Sequence, residues 1–495
     1  MTDGSFKFLN DSKQFKSVGW DDPNSAKLWR YNQHYFDDLS SACAIEKSTL
    51  QIHLLHDWVA NNRPGQGTGW EPYPTSLRIV NWVKWCLAGH VMPSECLQSL
   101  AVQARWLNKK IEWHILANHL FANAKALVFV GLFFDGQEAE EWLSTGLQIL
   151  LQEISEQILP DGGHFELSPM YHSIILEDVL DLINILCAFN KIPENEGLLQ
   201  LRATAMKMLE WLDNMCHPDN EISFFNDAAF NIAPSPAKLK SYATRLNINI
   251  YTFDASQDAL SIKQCTESGY AVIKTCNASV LLDVACLGPD YLPGHGHADT
   301  LCFEMSLFGK RLFVNRGTSQ YGTGLVRQDE RGTAAHNTVV VNGRNSSEVW
   351  SGFRVARRAR PFGLLIDKNE TSIKVSCSHD GYKRISGRPI HRRSWTLANG
   401  TMLIEDQIQG TFKTATAYFH FHPDVKLVCN GMESWKIQLP GCNEHVVLFV
   451  LRGSPSIRPS LFSPEFGIQL NTECLEIEFD HSDNIAVEIC WKLND

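Results

Sequence analysis

The sequence lacks any run of about 18 consecutive apolar residues, so no membrane-spanning helix is expected. Its first seventeen residues, MTDGSFKFLNDSKQFKS, lack the apolar segment of a secretory signal. The fourteen cysteines form no C-x-x-C pair, and several lie singly among apolar residues, which favours free thiols. By sequence alone these absences predict a cytoplasmic protein.

The chain also lacks the basic excess of a nucleic-acid-binding protein, because its net charge is −11. One segment departs from this balance: residues 354–393 contain eleven Lys or Arg but only three acids. Two interpretations of this basic segment remain open. It is either the place where an anionic ligand binds, or a solvated strand face with alternating charges.

Hydrophobic periodicity divides the 495 residues into two halves. The first half has apolar residues at spacings of three and four, which predicts helices over 41–62, 76–90, 95–107, 110–131, 137–158, 171–190 and 196–214. Short polar breaks between them indicate antiparallel helical hairpins. After about residue 262 the period becomes two, which predicts strands over 270–274, 279–284, 301–307, 337–342 and 445–451. We therefore expect an all-helical domain, a junction within 247–264, and an antiparallel β-sandwich.

The segment Pro293–Asp299, PGHGHAD, is the most informative motif of the chain. It places His295, His297 and Asp299 within five residues, and two glycines allow the backbone to approach a ligand closely. Histidine transfers protons near neutral pH and is the commonest metal ligand. The motif therefore indicates chemistry, although a polar turn with hydrogen-bonded histidines remains an alternative.

Two further clusters are candidates for a site. In the predicted helix 110–131, the residues His114, Asn118 and Lys125 would share one face, which either lines a cavity or bonds a neighbouring helix. Ser168 and Pro169 predict an N-cap and the first helical position of the next helix. Tyr171 would then lie at a helix N-terminus, where backbone N–H groups favour its phenolate form; simple packing is the alternative.

A metal site is also conceivable in the β half. His297 and His336, with an oxygen ligand at Asn315, would make a three-ligand site of the kind that zinc accepts. The alternative is that no metal binds and that the histidines are only hydrogen-bonded.

Several of these motifs together resemble the heparinase II/III family of polysaccharide lyases, in particular members associated with bacterial surface-polysaccharide loci. The resemblance is carried by Asn118-His119, Ser168–His172, Gly294–Asp299, Ala335–Thr338 and, upstream, Trp29–Phe36 and Trp70–Arg78. It implies an incomplete (α/α) toroid over residues 1–255, followed by an antiparallel β-sandwich over 262–495. It also implies β-elimination on uronic-acid-containing polysaccharides, and a place in the periplasm or cell envelope.

The resemblance also implies a role for individual residues. Asn118 matches the position that contacts the uronate carboxylate, Tyr171 the catalytic tyrosine, and His295 the catalytic histidine. His297, Asn315 and His336 match the ligands of one zinc or other divalent ion with a structural role, although the family commonly has aspartate at position 315. Further candidates for substrate contact are His119, Glu166, Arg78, Tyr73 and Arg331.

Two other functions remain open. Asp161 and Glu166 could form the carboxyl pair of an inverting glycoside hydrolase. Alternatively, the chain could bind an acidic polysaccharide without cleaving it, because a fold does not fix a function.

Overall fold

The structure is a computed structural model and describes residues 4–41, 47–189, 196–249, 260–480 and 482–492. By internal contacts the chain divides into two compact units: unit 1 comprises Met1–Ile158 and Glu177–Ala203, and unit 2 comprises Leu159–Leu176 and Thr204–Asp495. The predicted junction 247–264 includes residues 250–259, which lie outside the described residues. The domain limits 1–255 and 262–495 therefore stay a prediction.

Every predicted helical segment contains a helix. The α-helices are α1 (Phe15–Val18), α2 (Lys27–Tyr35), α3 (Ser48–Asn61), α4 (Pro72–Leu87), α5 (Ser94–Lys109), α6 (Ala117–Phe133), α7 (Gln137–Gln157), α8 (Pro169–Phe189), α9 (Glu196–Asn214), α10 (Pro236–Arg245) and α11 (Leu325–Glu330). Within the described residues, no helix is both long and apolar enough to cross a membrane, as expected.

Helix α6 begins later than the sequence predicts. Leu116 and Ala117 have positive φ angles of 64° and 47°, so regular helix starts only at Ala117. His114 therefore lies in a turn before the helix. The prediction that His114 shares a helix face with Asn118 and Lys125 is wrong. The ammonium of Lys125 is buried and pairs with Asp178 at 2.6 Å, so it serves packing of the helices in unit 1.

Among the described residues after 260, every pair of strands is antiparallel, as predicted. One hairpin, β1 (Ser5–Phe8) with β2 (Asp11–Gln14), precedes them. The others are β3 (Ser261–Cys265), β4 (Tyr270–Lys274), β5 (Ala278–Asp283), β6 (Phe303–Leu307), β7 (Lys310–Phe313), β8 (Val339–Val341), β9 (Val349–Trp350), β10 (Arg354–Val355), β11 (Pro361–Lys368), β12 (Ser372–His379), β13 (Ile390–Ala398), β14 (Thr401–Gln409), β15 (Ala415–His420), β16 (Lys426–Gly431), β17 (Ser434–Gln438), β18 (His445–Arg452), β19 (Ser454–Phe462), β20 (Leu470–Glu478) and β21 (Asn484–Lys492).

Three sheets of unit 2 share one hydrophobic core. Their strand orders are β3-β4-β5-β6-β7, β19-β20-β15-β8 and β11-β12-β13-β14-β21-β18-β17-β16. Alternate side chains of these strands, such as Phe303, Trp395 and Phe419, are fully buried in it. This period-two burial is why the strands could be predicted from the sequence.

Acids from elsewhere in unit 2 neutralise much of the basic segment 354–393. Arg357 pairs with Glu348 at 2.6 Å, and Arg358 pairs with Asp290 at 2.9 Å. Arg393 is buried against Asp406, with 2.7 Å between Nε and Oδ1. The segment is therefore not one continuous anion-binding surface.

Candidate active site

Tyr171 and His295, which the resemblance pairs as catalytic groups, meet within unit 2. Their ring centroids are 3.9 Å apart, and the two ring planes differ by 33°. The Tyr171 hydroxyl also lies 2.9 Å from the hydroxyl of Tyr321. Both Tyr171 and His295 are half-buried, so the pair is enclosed by protein and still partly accessible.

The N-terminus of α8 positions Tyr171. Ser168 caps the helix, because its Oγ accepts the backbone N–H of Tyr171 at 3.2 Å, and Pro169 takes the first helical position. The Ser168 hydroxyl donates in turn to the backbone carbonyl of Asp227. The predicted cap is confirmed, and it ties the tyrosine to the segment that contains Asp227.

Burial controls the protonation of Tyr171. Loss of solvent, followed by the neighbouring Tyr321 and Asp227, raises the pKa of the phenol well above its usual value. Burial thus opposes the effect expected of the helix N-terminus, which was to favour the phenolate. Tyr171 holds its proton at neutral pH and is suited to act as an acid.

Asp227, which sequence reasoning missed, orients His295. Its Oδ2 lies 2.8 Å from His295 Nδ1, and its Oδ1 lies 2.8 Å from His297 Nε2. Arg327 donates to both carboxylate oxygens. The available signal was a lone carboxylate in the apolar stretch 223–230, SFFNDAAF, although nothing local links it to the histidines.

The charge of Asp227 is secured by these donors. Burial alone would raise its pKa, but Arg327 and the two imidazoles hold the pKa of that carboxyl well below its usual range. An ionised carboxylate only accepts hydrogen bonds, so His295 must donate its Nδ1–H. This tautomer leaves a lone pair on His295 Nε2, as a proton acceptor requires.

Close packing fixes the loop that carries His295. A Cβ on Gly296 would lie 2.2 Å from Leu287 Cδ2, so any larger residue at this position requires the buried Leu287 side chain to move. Arg331 is buried and donates to the Gly296 carbonyl at 2.9 Å and to the Gly352 carbonyl at 3.1 Å. Each of its hydrogen bonds goes to a backbone carbonyl, so Arg331 supports the loop rather than facing a ligand.

The hairpin of β9 and β10 adds aromatic and basic groups beside His295. The Phe353 ring lies 5.6 Å from the His295 ring and 5.1 Å from the Tyr321 ring. Trp350 is 55% exposed and Phe353 is 42% exposed. Arg354 is exposed, and its guanidinium has no ion pair within the described part of the chain. Sequence reasoning counted Arg354 only as one member of the basic segment.

The other predicted residues have separate surroundings. In unit 1, His119 lies against the Tyr73 ring at 4.4 Å, and its Nδ1 lies 3.1 Å from Glu112. Arg78 is fully buried over the Trp58 ring, so it belongs to the helical core. Asn118 is buried in the first turn of α6. In unit 2, Glu166 is buried in the loop before α8, and its charge acts on Tyr171.

The three predicted metal ligands also lie close together, but His297 and Asn315 contact different nitrogens of His336. His297 Nδ1 lies 3.2 Å from His336 Nε2, whereas Asn315 Oδ1 lies 3.1 Å from His336 Nδ1. The two nitrogens of an imidazole point away from each other, so one ion cannot contact all three residues in this arrangement. The predicted set therefore does not fit a single ion in this geometry.

Family models match most of the chain. The model described as Heparinase II/III N-terminus matches residues 47–248, and the model described as Heparinase II/III-like, C-terminal matches residues 258–490. A heparin-sulfate lyase of Bacteroides stercoris is 28% identical over 336 residues, which is 64% of this chain and 47% of that protein. Another of Pedobacter heparinus is 24% identical over 323 residues, or 59% and 48%. The chain spans about half the length of these curated relatives.

Solved structures share the fold. A crystal structure of heparinase III has a TM-score of 0.74 at 19% identity, covering 94% of this chain and 76% of its own. A heparan sulfate lyase from Pedobacter heparinus has a TM-score of 0.65 at 18% identity, covering 99% and 82%. The predicted helical toroid followed by an antiparallel β-sandwich is thereby confirmed. The two family models, which together cover most of the sequence, show that this chain belongs to the heparinase II/III family.

Proposed function

We propose that this protein is a lyase that cleaves a uronic-acid-containing polysaccharide by β-elimination. The observation that carries the proposal is the contact between a protonated phenol, Tyr171, and an imidazole, His295, that Asp227 orients. Such a reaction needs one group that takes a proton from carbon and one that gives a proton to oxygen. The names of the relatives, heparin-sulfate lyases, agree with this class of reaction.

In the proposed reaction His295 Nε2 removes the proton from C5 of the uronate. The electron pair of the C5–H bond forms the C4=C5 double bond, and the C4–O4 bond breaks. Tyr171 protonates the departing O4, so the products are an unsaturated uronate end and a hydroxyl end. General acid and base groups of this kind typically contribute about 10²- to 10⁴-fold in rate.

Tyr321 supports the acid role of Tyr171. Its hydroxyl, 2.9 Å away, can donate to the Tyr171 oxygen as negative charge develops there. Burial also raises the pKa of Tyr321 well above its usual value, so Tyr321 remains a donor. After Tyr171 gives up its proton, Tyr321 can thus supply another through the hydrogen bond between the two hydroxyls.

The C5 proton is weakly acidic while the neighbouring carboxylate is fully charged. We assign to Asn118 the role that the family resemblance implies, which is to hydrogen-bond that carboxylate as charge develops. A preorganised donor of this kind is worth about 3 kcal/mol. Its place in the first turn of α6, after two residues with positive φ, gives it a fixed position in unit 1.

Binding of the polymer is assigned to the hairpin around residues 349–355. Trp350 and Phe353 offer exposed aromatic faces, and Arg354 offers an exposed cation that suits a carboxylate or a sulfate. Arg331 and Arg78, which the sequence suggested as substrate contacts, are both buried. We therefore place the first recognition of the anionic sugar at Arg354.

Asp161 is not suited to the carboxyl pair that the hydrolase alternative requires. Asp161 accepts the backbone N–H groups of Gly163 at 3.0 Å and of Ser268 at 2.8 Å, so it closes a turn. A carboxylate committed to backbone donors is poorly placed to activate water. The observation that would favour the hydrolase is a reducing-end product without any double bond.

The test is to incubate the chain with heparan sulfate, chondroitin sulfate, hyaluronan and alginate. We expect ultraviolet absorbance of an unsaturated uronate together with shortening of one of these polymers. Tyr171→Phe should slow the rise in absorbance by about 10²- to 10⁴-fold while polymer binding persists. Binding that Tyr171→Phe does not alter, with no product from either protein on any polymer, would instead identify a binding protein.

A further inference from the structure

The sheet β19-β20-β15-β8 of unit 2 carries a polar pocket on the face that points away from the hydrophobic core. The pocket has a volume of about 390 Å³, which is within the range of roughly 300–1,000 Å³ for pockets that hold a small ligand. Side chains of β15, β19 and β20 line it, together with Arg316 and Ala334. Neither Tyr171 nor His295 lines it, so the pocket is separate from the proposed acid and base.

The alternation of the strands places the lining side chains on this face. Phe419 of β15 is buried in the hydrophobic core, so its neighbours Tyr418 and His420 point to the opposite side. Tyr418 lies directly opposite Glu476 of β20 in the strand register, and His420 lies opposite Cys474. Residues that are directly opposite in an antiparallel pair have their side chains on the same face. The pocket therefore has an aromatic ring next to a carboxylate.

Hydrogen bonds fix the inner end of the pocket. The imidazole of His420 is buried, with Nε2 2.9 Å from the Ala334 carbonyl oxygen and Nδ1 3.0 Å from the Ser460 hydroxyl. Because both ring nitrogens are engaged by different segments, the shape of this end is set before any ligand binds.

The outer part of the pocket has polar groups that the protein itself does not use. Among the residues that the structure describes, the side chains of Tyr418, Glu476 and Asn471 make no hydrogen bond to protein. Arg316 donates from Nε to a backbone carbonyl at 3.1 Å and from Nη1 to Asp329 at 2.7 Å, so its Nη2 is left for another acceptor. A hydroxyl, a carboxylate, an amide and a guanidinium N–H thus converge on one space.

The charges in the pocket favour an uncharged ligand. Arg316 is already paired with Asp329, whereas Glu476 has no ion pair in the described part of the chain. An anionic ligand would be repelled by the Glu476 carboxylate, and a cationic one would meet the Arg316 guanidinium. A sugar hydroxyl both donates and accepts, so it can bind a carboxylate, an amide and an N–H group alike. The apolar C–H face of a sugar ring also suits the partly exposed ring of Tyr418.

We propose that this pocket binds an uncharged sugar residue of a polysaccharide. Tyr418 packs against the C–H face of the ring, while Glu476, Asn471 and the Nη2 of Arg316 hydrogen-bond its hydroxyls. The site holds the sugar without reacting with it, so the binding does not depend on the proposed lyase function. Where the chain does act as a lyase, a second hold on the same polymer would raise the effective concentration of substrate at the catalytic pair.

The test measures binding of neutral oligosaccharides, which contain no uronate and therefore cannot undergo the lyase reaction. Maltohexaose, cellohexaose, mannohexaose and chitohexaose are each added to the full chain, and binding is followed by saturation-transfer NMR of the sugar protons. We expect saturable binding of at least one of them. An excess of the neutral monosaccharide of the same configuration should displace it, whereas the corresponding uronate should not, because Glu476 repels a carboxylate.

Variants then locate the binding. Tyr418→Ala should weaken it about tenfold or more, because the ring that packs against the sugar is removed. Glu476→Gln keeps the size of the side chain but removes its charge, so the uronate should now compete as well as the neutral sugar. Glu478→Gln is the matched control, since this exposed acid belongs to the same strand and the same face but does not line the pocket. It should change neither result.

Three results would overturn the proposal. The first is no saturable binding of any of the four oligosaccharides to a chain that circular dichroism shows to be folded. The second is binding that a folded Tyr418→Ala variant retains in full, since the sugar would then bind elsewhere. The third is displacement by the uronate from the unaltered chain as readily as by the neutral sugar. A failure of the lyase function would instead appear only with the uronate-containing polymers, so the two failures can be distinguished.

Discussion

Asp227 and His295 are joined through both their side chains and their backbones. Asp227 Oδ2 lies 2.8 Å from His295 Nδ1, and the Asp227 N–H donates to the His295 carbonyl at 3.1 Å. The other oxygen of the same carboxylate binds His297 Nε2. One buried carboxylate thus sets the orientation of both histidines of the PGHGHAD motif, and this arrangement makes Asp227 a positioning residue for the proposed base.

We expect Asp227→Asn to lower kcat by about 10²- to 10⁴-fold with little change in KM, because an amide no longer fixes the His295 tautomer. The substitution also leaves the Arg327 guanidinium buried without its counter-charge, which typically costs about 3–5 kcal/mol of unfolding free energy. Turnover and urea unfolding measured on the same preparations check both effects. Glu348→Gln, which removes a partly exposed partner of Arg357, is the control and should affect neither by much. A stable Asp227→Asn protein with an unchanged pH profile of kcat would contradict the role.

Tyr171→Phe should lower kcat by about 10²- to 10⁴-fold while the affinity for polymer stays the same, because only the proton donor is removed. Tyr321→Phe should cost about tenfold or less, since it removes one hydrogen bond to the acid and leaves the acid itself. The two variants are compared by initial rates of product absorbance and by polymer binding. A larger loss in Tyr321→Phe than in Tyr171→Phe would mean that Tyr321, rather than Tyr171, is the proton donor.

The sequence predicted the parts of the site that lie in short local motifs. Tyr171 follows a Ser-Pro cap, and His295 lies among glycines, so both could be identified from their neighbours. Asp227 could not, because it meets His295 and Arg327 only through the tertiary fold. No local sequence pattern predicts these contacts between residues far apart in the chain.

The errors share a physical cause. The sequence does not show whether an arginine faces solvent or the core, so it suggests Arg78 and Arg331 as substrate contacts although both are buried. The apolar period continues through His114 and predicts a helix there, whereas positive φ angles at residues 116 and 117 delay the helix. Buried arginines and helix starts both depend on tertiary contacts that periodicity does not report.

Arg354 and Arg331 should respond differently to substitution. Arg354→Ala should raise KM about tenfold or more and leave kcat nearly unchanged, because a charge-assisted bond to an anionic sugar is worth about 1.5–3 kcal/mol. The effect should shrink at high salt. Arg331→Lys should instead lower the melting temperature and kcat, because a lysine cannot reach the several carbonyls that Arg331 binds. Steady-state kinetics at two ionic strengths, with melting curves, separate the two; a raised KM in Arg331→Lys alone would reverse the assignment.

The protein should lose stability in mild acid because buried histidines resist protonation. Burial lowers the pKa of His172 and of His420 from 6.5 to about 3. The unfolded chain therefore binds protons that the folded chain does not as the pH falls below about 6.5, and this stability is lost progressively down to the folded-state pKa. Each such histidine contributes a slope of about 1.4 kcal/mol per pH unit. Urea unfolding across this range measures the slope.

The contribution of a single histidine to that slope can be measured by substituting it. His172→Gln should reduce the slope by about 1.4 kcal/mol per pH unit, because it removes one group that protonates only in the unfolded chain. His445→Gln, an exposed position at the start of β18, should leave it unchanged. A slope that is the same in all three proteins would show that His172 does not contribute to the acid sensitivity.

The two glycines of the PGHGHAD motif provide a matched test of how tightly the base is held. A Cβ at Gly296 would lie 2.2 Å from Leu287 Cδ2, whereas a Cβ at Gly294 has Phe353 Cβ as its nearest neighbour at an ordinary 3.7 Å. Gly296→Ala must therefore displace the buried Leu287 side chain or the loop itself, and overpacking of this kind costs about 1–3 kcal/mol. We expect Gly296→Ala to lower both the melting temperature and kcat, and Gly294→Ala to retain both. Similar activity in the two variants would mean that the loop adapts, and that Asp227 alone, without the packing of the loop, is enough to place His295.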